Sequence, residues 1–213
     1  MIIYGSSISP FVRKTLAFAA EKGVAVEVRA VNPRAPSAEF SACSPFRKMP
    51  ALSDGDYSLS DSTAIITYIE AAHPQPNLIP LEPKARGRTI WFEEFADTIL
   101  HAAGGRVVFN RVVAPMLGMP ADLAAADAGE REDLPPMFDY LESVIPASGF
   151  LVEDRLTLAD IAVCSSIASV GHANCHIDPA RWPKTAAYAA AILARPSFAA
   201  LIAQEKATLA AGR

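Results

Sequence analysis

Strand-type sequence is confined to the first 60 residues, and everything beyond residue 83 reads as helix. A chain patterned this way builds a small α/β layer first and a helical body second. Ile2, Ile3 and Tyr4 form a short apolar run ended by Gly5, the signature of a buried strand. Pro10 then opens a periodic segment over 11–22 in which Phe11, Thr15, Phe18 and Ala19 share one face. Proline suits a first helical turn, and Gly23 suits the position just past the last. Residues 24–31 return to β-type content, with Glu27 and Arg29 alternating with valines. This is the spacing of a β-α-β unit with a right-handed crossover. The stretch 32–48 carries Pro33, Pro36 and Pro45 and reads as a loop with one helical turn near 37–43. Met49-Pro50-Ala51-Leu52 and Tyr57-Ser58-Leu59 are strands of a hairpin turned by Ser53-Asp54-Gly55-Asp56. A helix over 62–72 exposes Ile65, Ile66 and Ile69 to the core. The prolines of His73-Pro74-Gln75-Pro76 stop it, and 78–83 reads as a linker. The spacing then predicts helices over 84–117, 122–145, 157–170, 184–194 and 197–210, with a bend at Gly104-Gly105. The fold class is α/β followed by all-α: one domain over 1–80, a second over 84–213.

Composition narrows the function classes. Of 213 residues, 51% are hydrophobic and 20% charged, which excludes a disordered chain. A chain of this size closes a core without a disulfide or a metal. The net charge of -4, from 19 basic and 23 acidic residues, argues against nucleic acid as the partner. Cys43, Cys164 and Cys175 are odd in number and widely spaced, which suits a reducing, cytoplasmic compartment. No leader-like segment opens the chain and no long apolar run interrupts it, so no membrane span is expected. His172, Cys175 and His176 lie close together, but no HExxH or CxxC spacing is present and no metal is expected. Glu93, Glu94 and Asp97 read as a solvated or interdomain face.

Four motifs carry the remaining information. Ser6-Ser7-Ile8-Ser9-Pro10 joins the first strand to the first helix, where free N–H groups favour an anion. Ser9 there is either an N-cap or a hydrogen-bond donor that holds a bound thiolate ionised. Met49-Pro50 opens the hairpin, and a cis bond there would offer the Met49 backbone to an extended peptide. Ser60-Asp61-Ser62-Thr63 enters the next helix with a capping residue and a second anion-binding terminus. Thr157-Leu158-Ala159-Asp160 is a capping box, read as structural.

In this order and over essentially the whole chain, the motifs Ser7-Ile8-Ser9-Pro10-Phe11-Val12-Arg13-Lys14, Met49-Pro50, Ser60-Asp61-Ser62-Thr63 and Thr157-Leu158-Ala159-Asp160 resemble the cytosolic glutathione S-transferase family. The resemblance implies a thioredoxin-like N-terminal domain and a C-terminal helical bundle. It implies glutathione as co-substrate and a small hydrophobic electrophile as its acceptor, in a detoxification-type conjugation. Met49 beside Pro50 would bind the cysteinyl part of glutathione. Asp61 and Ser62 would hold the γ-glutamyl end, and Lys48 or Arg47 the glycine carboxylate. Ser9 is favoured as the group that activates the thiol, with Ser7 second, and Phe11 lies beside it. Tyr4 sits inside the first strand and leaves a tyrosine-type position unfilled. The acceptor is expected between the domains, with Trp91, Phe95, His101, Phe109 and Met116 as candidates. A homodimer is expected through the 62–72 helix and the loop around Phe46. The alternatives are a glutathione-dependent isomerase or dehalogenase acting on a small organic acid, with Arg106 and Arg111 as anion-binding candidates, and a nonenzymatic regulatory protein.

Overall fold

In the computed structural model, which describes residues 1–32 and 34–211, the chain separates into two compact units, Met1–Leu78 and the part from Ile79 onward. Pro33, one of the prolines assigned to the first loop, lies outside the described residues.

The first unit is built on a four-stranded sheet of order β2-β1-β3-β4. β1 (Ile2–Tyr4) pairs in parallel with β2 (Glu27–Arg29) and antiparallel with β3 (Ala51–Asp54), which turns back into β4 (Tyr57–Ser60). α1 (Pro10–Glu21) makes the crossover, and α3 (Ser62–Ala72) packs against it. Side chains alternate across the strands. Tyr4 and Ala51 meet Phe40 and Cys43 of α2 (Ala38–Cys43), while the intervening Ile3 and Leu52 are fully buried on the opposite face. β2 is shorter than the valine alternation predicts. Its beginning is lost because the Val24 N–H closes the end of α1 on the Ala19 carbonyl at 2.9 Å, and β1 offers only three residues to pair with.

Gly5 ends β1 with φ of 149°. A Cβ there would stand 2.6 Å from Val12 Cγ2, a stiff β-branched side chain on α1. Gly5→Ala should therefore cost about 2 kcal/mol in strain and displaced packing, read as a fall in the urea midpoint at unchanged slope. At the far end of the unit, the buried Lys22 ammonium binds Glu70 Oε2 at 2.5 Å and the Pro76 carbonyl at 2.6 Å. Glu70 Oε1 accepts from Asn77 Nδ2 and from the Leu78 N–H. The segment leaving α3 is thus fixed by one carboxylate.

The second unit contains no strand among its described residues. α4 (Pro83–Glu94), α5 (His101–Val108) and α6 (Ala114–Met116) form one continuous helical run, widened into π-helix at Phe95–Leu100 and Phe109–Val113. The irregularities expected at Gly104-Gly105 fall on either side of it. Those glycines stay in regular helix, where a Cβ on Gly104 would meet Leu134 and Val170 in ordinary van der Waals contact at 3.9 Å. Instead of one helix over 122–145 there are two, α7 (Leu123–Glu132) and α8 (Leu134–Val144). Pro135 and Pro136 supply no N–H to a preceding turn, so they start a helix rather than continue one.

α9 (Leu158–His172) is the buried axis, with α4, α5 and α10 (Pro183–Leu193) packed on it and α11 (Pro196–Ala211) following. The Ser166 hydroxyl of α9 donates to the Ala96 carbonyl at 3.1 Å, inside the first π-helical segment. Such widened turns leave carbonyls without their usual i+4 donor. Glu142 of α8 caps α10, accepting from Lys184 N, Thr185 N and Thr185 Oγ1. At the start of α9, Asp160 accepts from the Thr157 and Leu151 N–H groups, both at 2.9 Å.

Candidate active site

Strand register brings the three N-terminal motifs together. Tyr4 of β1 pairs with Ala51 of β3, and Ala51 pairs with Ser60 of β4. The residues just beyond this row are Gly5, Pro50 and Asp61. All three connections therefore leave the sheet at one end. Two further contacts confirm the convergence. A Cβ on Gly5 would lie 3.5 Å from Met49 Cβ, and the Asp61 N–H reaches the Pro50 carbonyl at 3.4 Å.

At the first connection the chain turns tightly, with the Ser9 N–H on the Ser6 carbonyl at 3.0 Å and the Ile8 N–H near Ser6 Oγ at 3.4 Å. Ser9 occupies the N-cap of α1 in extended conformation, and its carbonyl accepts from the Arg13 N–H at 2.9 Å. Its hydroxyl makes no capping bond. The residue is half-buried, as is Ser7, while Ser6 is exposed. Phe11 is half-buried in the first turn, and its carbonyl accepts from Thr15 Oγ1. Tyr4 is packed tilted against Phe40, ring centres 6.1 Å apart, and is only 4% exposed.

At the second connection the Met49-Pro50 bond is cis. The β1–β3 ladder starts at Ala51, so the Met49 backbone lies past its end. The preceding loop is held by a residue that the motif reading missed. Ser44 Oγ both accepts from the Lys48 N–H (2.9 Å) and donates to the Lys48 carbonyl (2.8 Å). A serine two residues before Phe46 gives no sequence signal, because the partner is the backbone. Lys48 and Arg47 are exposed, and Arg47 has φ of 55°.

At the third connection Asp61 adopts φ of 87°, a strained conformation for a residue with a Cβ. Its Oδ1 caps α3 by accepting from the Ala64 N–H at 3.0 Å. Ser62, the first residue of the helix, is 3% exposed. Two helix N-termini thus open at the same end of one sheet, a ready environment for anionic groups.

The second unit sorts the other candidates. Phe95 is core, 5.0 Å from the Tyr140 ring, whereas Trp91, Phe109 and Met116 are each more than 40% exposed and His101 is exposed. Arg106 is bound to Asp133 Oδ2 through Nε and Nη2, and Arg111 to both Asp127 and Glu130. The acidic partners push the Arg111 pKa up. Among the described residues no three His, Cys, Asp or Glu side chains are placed to hold a metal ion. No single helix there is long and apolar enough to cross a membrane.

Comparison with known proteins agrees with this two-part architecture. Residues 3–77 match the family described as glutathione S-transferase, N-terminal domain, and residues 117–205 match glutathione S-transferase, C-terminal domain. A glutathione S-transferase of Hyoscyamus muticus is 31% identical over 208 residues, covering 95% of this chain and 97% of that protein. Glutathione S-transferase 3 of Zea mays is 30% identical over 94% of this chain and 92% of its own length. The fold matches the crystal structure of a glutathione S-transferase from Rhodospirillum rubrum with a TM-score of 0.86 at 23% identity, covering 94% of this chain and 90% of that one. With the N-terminal α/β unit and the all-helical second unit both accounted for, the chain belongs to the glutathione S-transferase family.

Proposed function

We infer that this protein is a glutathione transferase that joins the glutathione sulfur to small hydrophobic electrophiles, with Ser9 as the group that stabilises the thiolate. The observation that carries the assignment of residues is the convergence of the Ser6–Ser9 turn, Met49-Pro50 and Asp61-Ser62 at one end of the sheet. In this reading an extended glutathione pairs its cysteinyl backbone with Met49 beyond the end of β3. Its γ-glutamyl carboxylate sits on the Ser62 hydroxyl and the N-terminal N–H groups of α3. Asp61 keeps Oδ1 on Ala64 and presents Oδ2 to the γ-glutamyl ammonium. Lys48 or Arg47 neutralises the glycine carboxylate at the exposed end. The Ser9 hydroxyl, free of capping duty, donates to the sulfur and favours its ionised form. The thiolate then attacks an electrophilic carbon. The new C–S bond forms as a leaving group departs with its electron pair, or as a conjugate acceptor takes up a proton. A serine cannot form a mixed disulfide with glutathione, so conjugation is favoured over thiol exchange.

The organic-acid alternative loses its anion-binding candidates, because Arg106 and Arg111 are already paired with carboxylates of their own unit. We also assign a homodimer, supported by Phe46 standing 85% exposed on the loop beside Met49, and a cytoplasmic location, supported by three free cysteines.

Titration calorimetry with glutathione tests the reading directly. Binding with millimolar affinity or better is expected, and absence of heat up to about 5 mM would leave a nonenzymatic role. Ser62→Ala removes a hydrogen bond to a charged group and should raise KM for glutathione by about tenfold or more, with a smaller effect on kcat. Unchanged KM would take Ser62 out of the site.

A further inference from the structure

The loop that ends at Met49 is closed on itself by one buried side chain. Ser44 follows directly on α2, is 1% exposed, and keeps its N–H on the Phe40 carbonyl at 2.9 Å. Its own carbonyl accepts from the Arg47 N–H at 2.9 Å, which makes 44–47 a turn with Pro45 in its second position. Its hydroxyl then takes both polar groups of the Lys48 backbone, at 2.8 and 2.9 Å. A residue in a strand pair exchanges bonds in the same way, and here a side chain replaces the partner backbone.

Arg47, inside this ring, has φ of 55°. A residue with a Cβ keeps that left-handed conformation where its surroundings over-determine it. The ring does so, with one bond on Arg47 and two on the residue after it. What the ring carries is two cations. Arg47 and Lys48 are both exposed, and neither side chain has an acidic partner among the described residues. Fixing the backbone beneath them lowers the entropy lost when they close on an anion. Beyond them the chain is held separately. Ala51 lies in the β1–β3 ladder, and the Pro50 carbonyl accepts from the Asp61 N–H at 3.4 Å. Loss of the Ser44 hydroxyl therefore releases the Arg47–Lys48 side of the loop first.

We propose that Ser44 is the positioning residue that sets the preference of this enzyme for the free glycine carboxylate of glutathione. Through the Lys48 backbone it holds the two cations against that carboxylate. It thereby discriminates glutathione from its C-terminal amide, a peptide of the same length with no charge at that end. The proposal rests on the glutathione reading above.

The test is conjugation to one activated aryl chloride, with glutathione and with its C-terminal amide as alternative thiols. The native protein should favour glutathione by about tenfold or more in kcat/KM, as a hydrogen bond to a charged group implies. Ser44→Ala should bring that ratio to about threefold or less by raising KM for glutathione, with KM for the amide close to its native value. Ser44→Thr keeps the hydroxyl and should restore the preference. Ser44→Cys keeps the shape with a weak donor and acceptor, and should behave as Ser44→Ala does. It takes the place of Ser44→Ala if urea unfolding shows that variant to be misfolded. Changing both cations together, Arg47→Gln with Lys48→Gln, should abolish the preference in the native background and alter little in Ser44→Ala. A ratio unchanged in Ser44→Ala, or an equal loss with both peptides, would overturn the proposal, the second being the mark of a merely structural serine. A native protein that uses both peptides equally would overturn it and leave the glutathione reading standing. One that uses neither would overturn that reading, and this proposal with it.

Discussion

Replacing Ser9 by alanine is expected to lower kcat for glutathione conjugation by about 10²–10³-fold, the usual loss when one preorganised anion-binding donor is removed. KM for glutathione should move far less, because the Met49, Asp61 and Ser62 contacts remain. An N-cap serine normally contributes about 1 kcal/mol to its helix through a side-chain bond. Here the Ser9 hydroxyl makes no such bond, and Pro10 already supplies the first-turn geometry. Stability should therefore change by less than about 0.5 kcal/mol, so lost activity cannot be ascribed to unfolding. The chemical signature is the ultraviolet absorbance of the bound thiolate against pH. In the native enzyme its midpoint should lie well below the ordinary thiol value of about 8.5, and in Ser9→Ala it should return toward it. A midpoint that stays low in Ser9→Ala and rises in Ser7→Ala would transfer the role to Ser7. Ser9→Cys provides the converse check. A thiol at this helix terminus is ionised more readily, and it should acquire exchange with glutathione disulfide, expelling one glutathione thiolate as the mixed disulfide forms.

The parts of this site differ in how far the sequence discloses them. Each connection is visible because it carries a local chemical reason: glycine at a strand end, proline in a first turn, Asp-Ser at a helix entry. Their meeting depends on the register Tyr4–Ala51–Ser60, a property of three strands far apart in sequence. It enters the reading only through likeness to a family. Whether Ser9 caps its helix is likewise invisible in the motif, since capping and ligand binding call for the same residue at the same position. Geometry separates them. The misread features have one physical origin, competition between local propensity and backbone accounting. Good helix formers run through 122–145, yet two adjacent prolines divide the segment. Glycines suggest a bend at 104–105, yet both stay in regular helix and the π-helical turns lie on either side of them. The Lys22–Glu70 pair carries no motif in the sequence, because it forms only where the 73–77 segment folds over both side chains.

Asp160→Ala should destabilise the helical unit by about 4 kcal/mol, a large share of the 5–15 kcal/mol typical of a domain. The carboxylate is fully buried, with Oδ1 on the Leu151 N–H and Oδ2 on the Thr157 N–H. Truncation strands two buried donors, each costing about 1–3 kcal/mol, where an exposed cap would cost about one. The same burial gives a pH signature with a definite sign. Desolvation raises the Asp160 pKa from its ordinary 3.8 to about 6, against the opposing pull of the Leu151 and Thr157 hydrogen bonds. Between those two values the native state holds a proton that the unfolded chain has released. The contribution of Asp160 is therefore fully present below pH 3.8 and is lost as pH rises through 6. Over that window it amounts to about 3 kcal/mol. Asp160→Asn cannot ionise and retains one acceptor for one of the two N–H groups. Urea unfolding of the two proteins in parallel cancels the titration of every other group. The stability of the native protein relative to Asp160→Asn should thus fall steadily between about pH 4 and 6 and level off above. A difference independent of pH across this range would mean that Asp160 stays ionised inside the bundle, its hydrogen bonds outweighing the cost of burial.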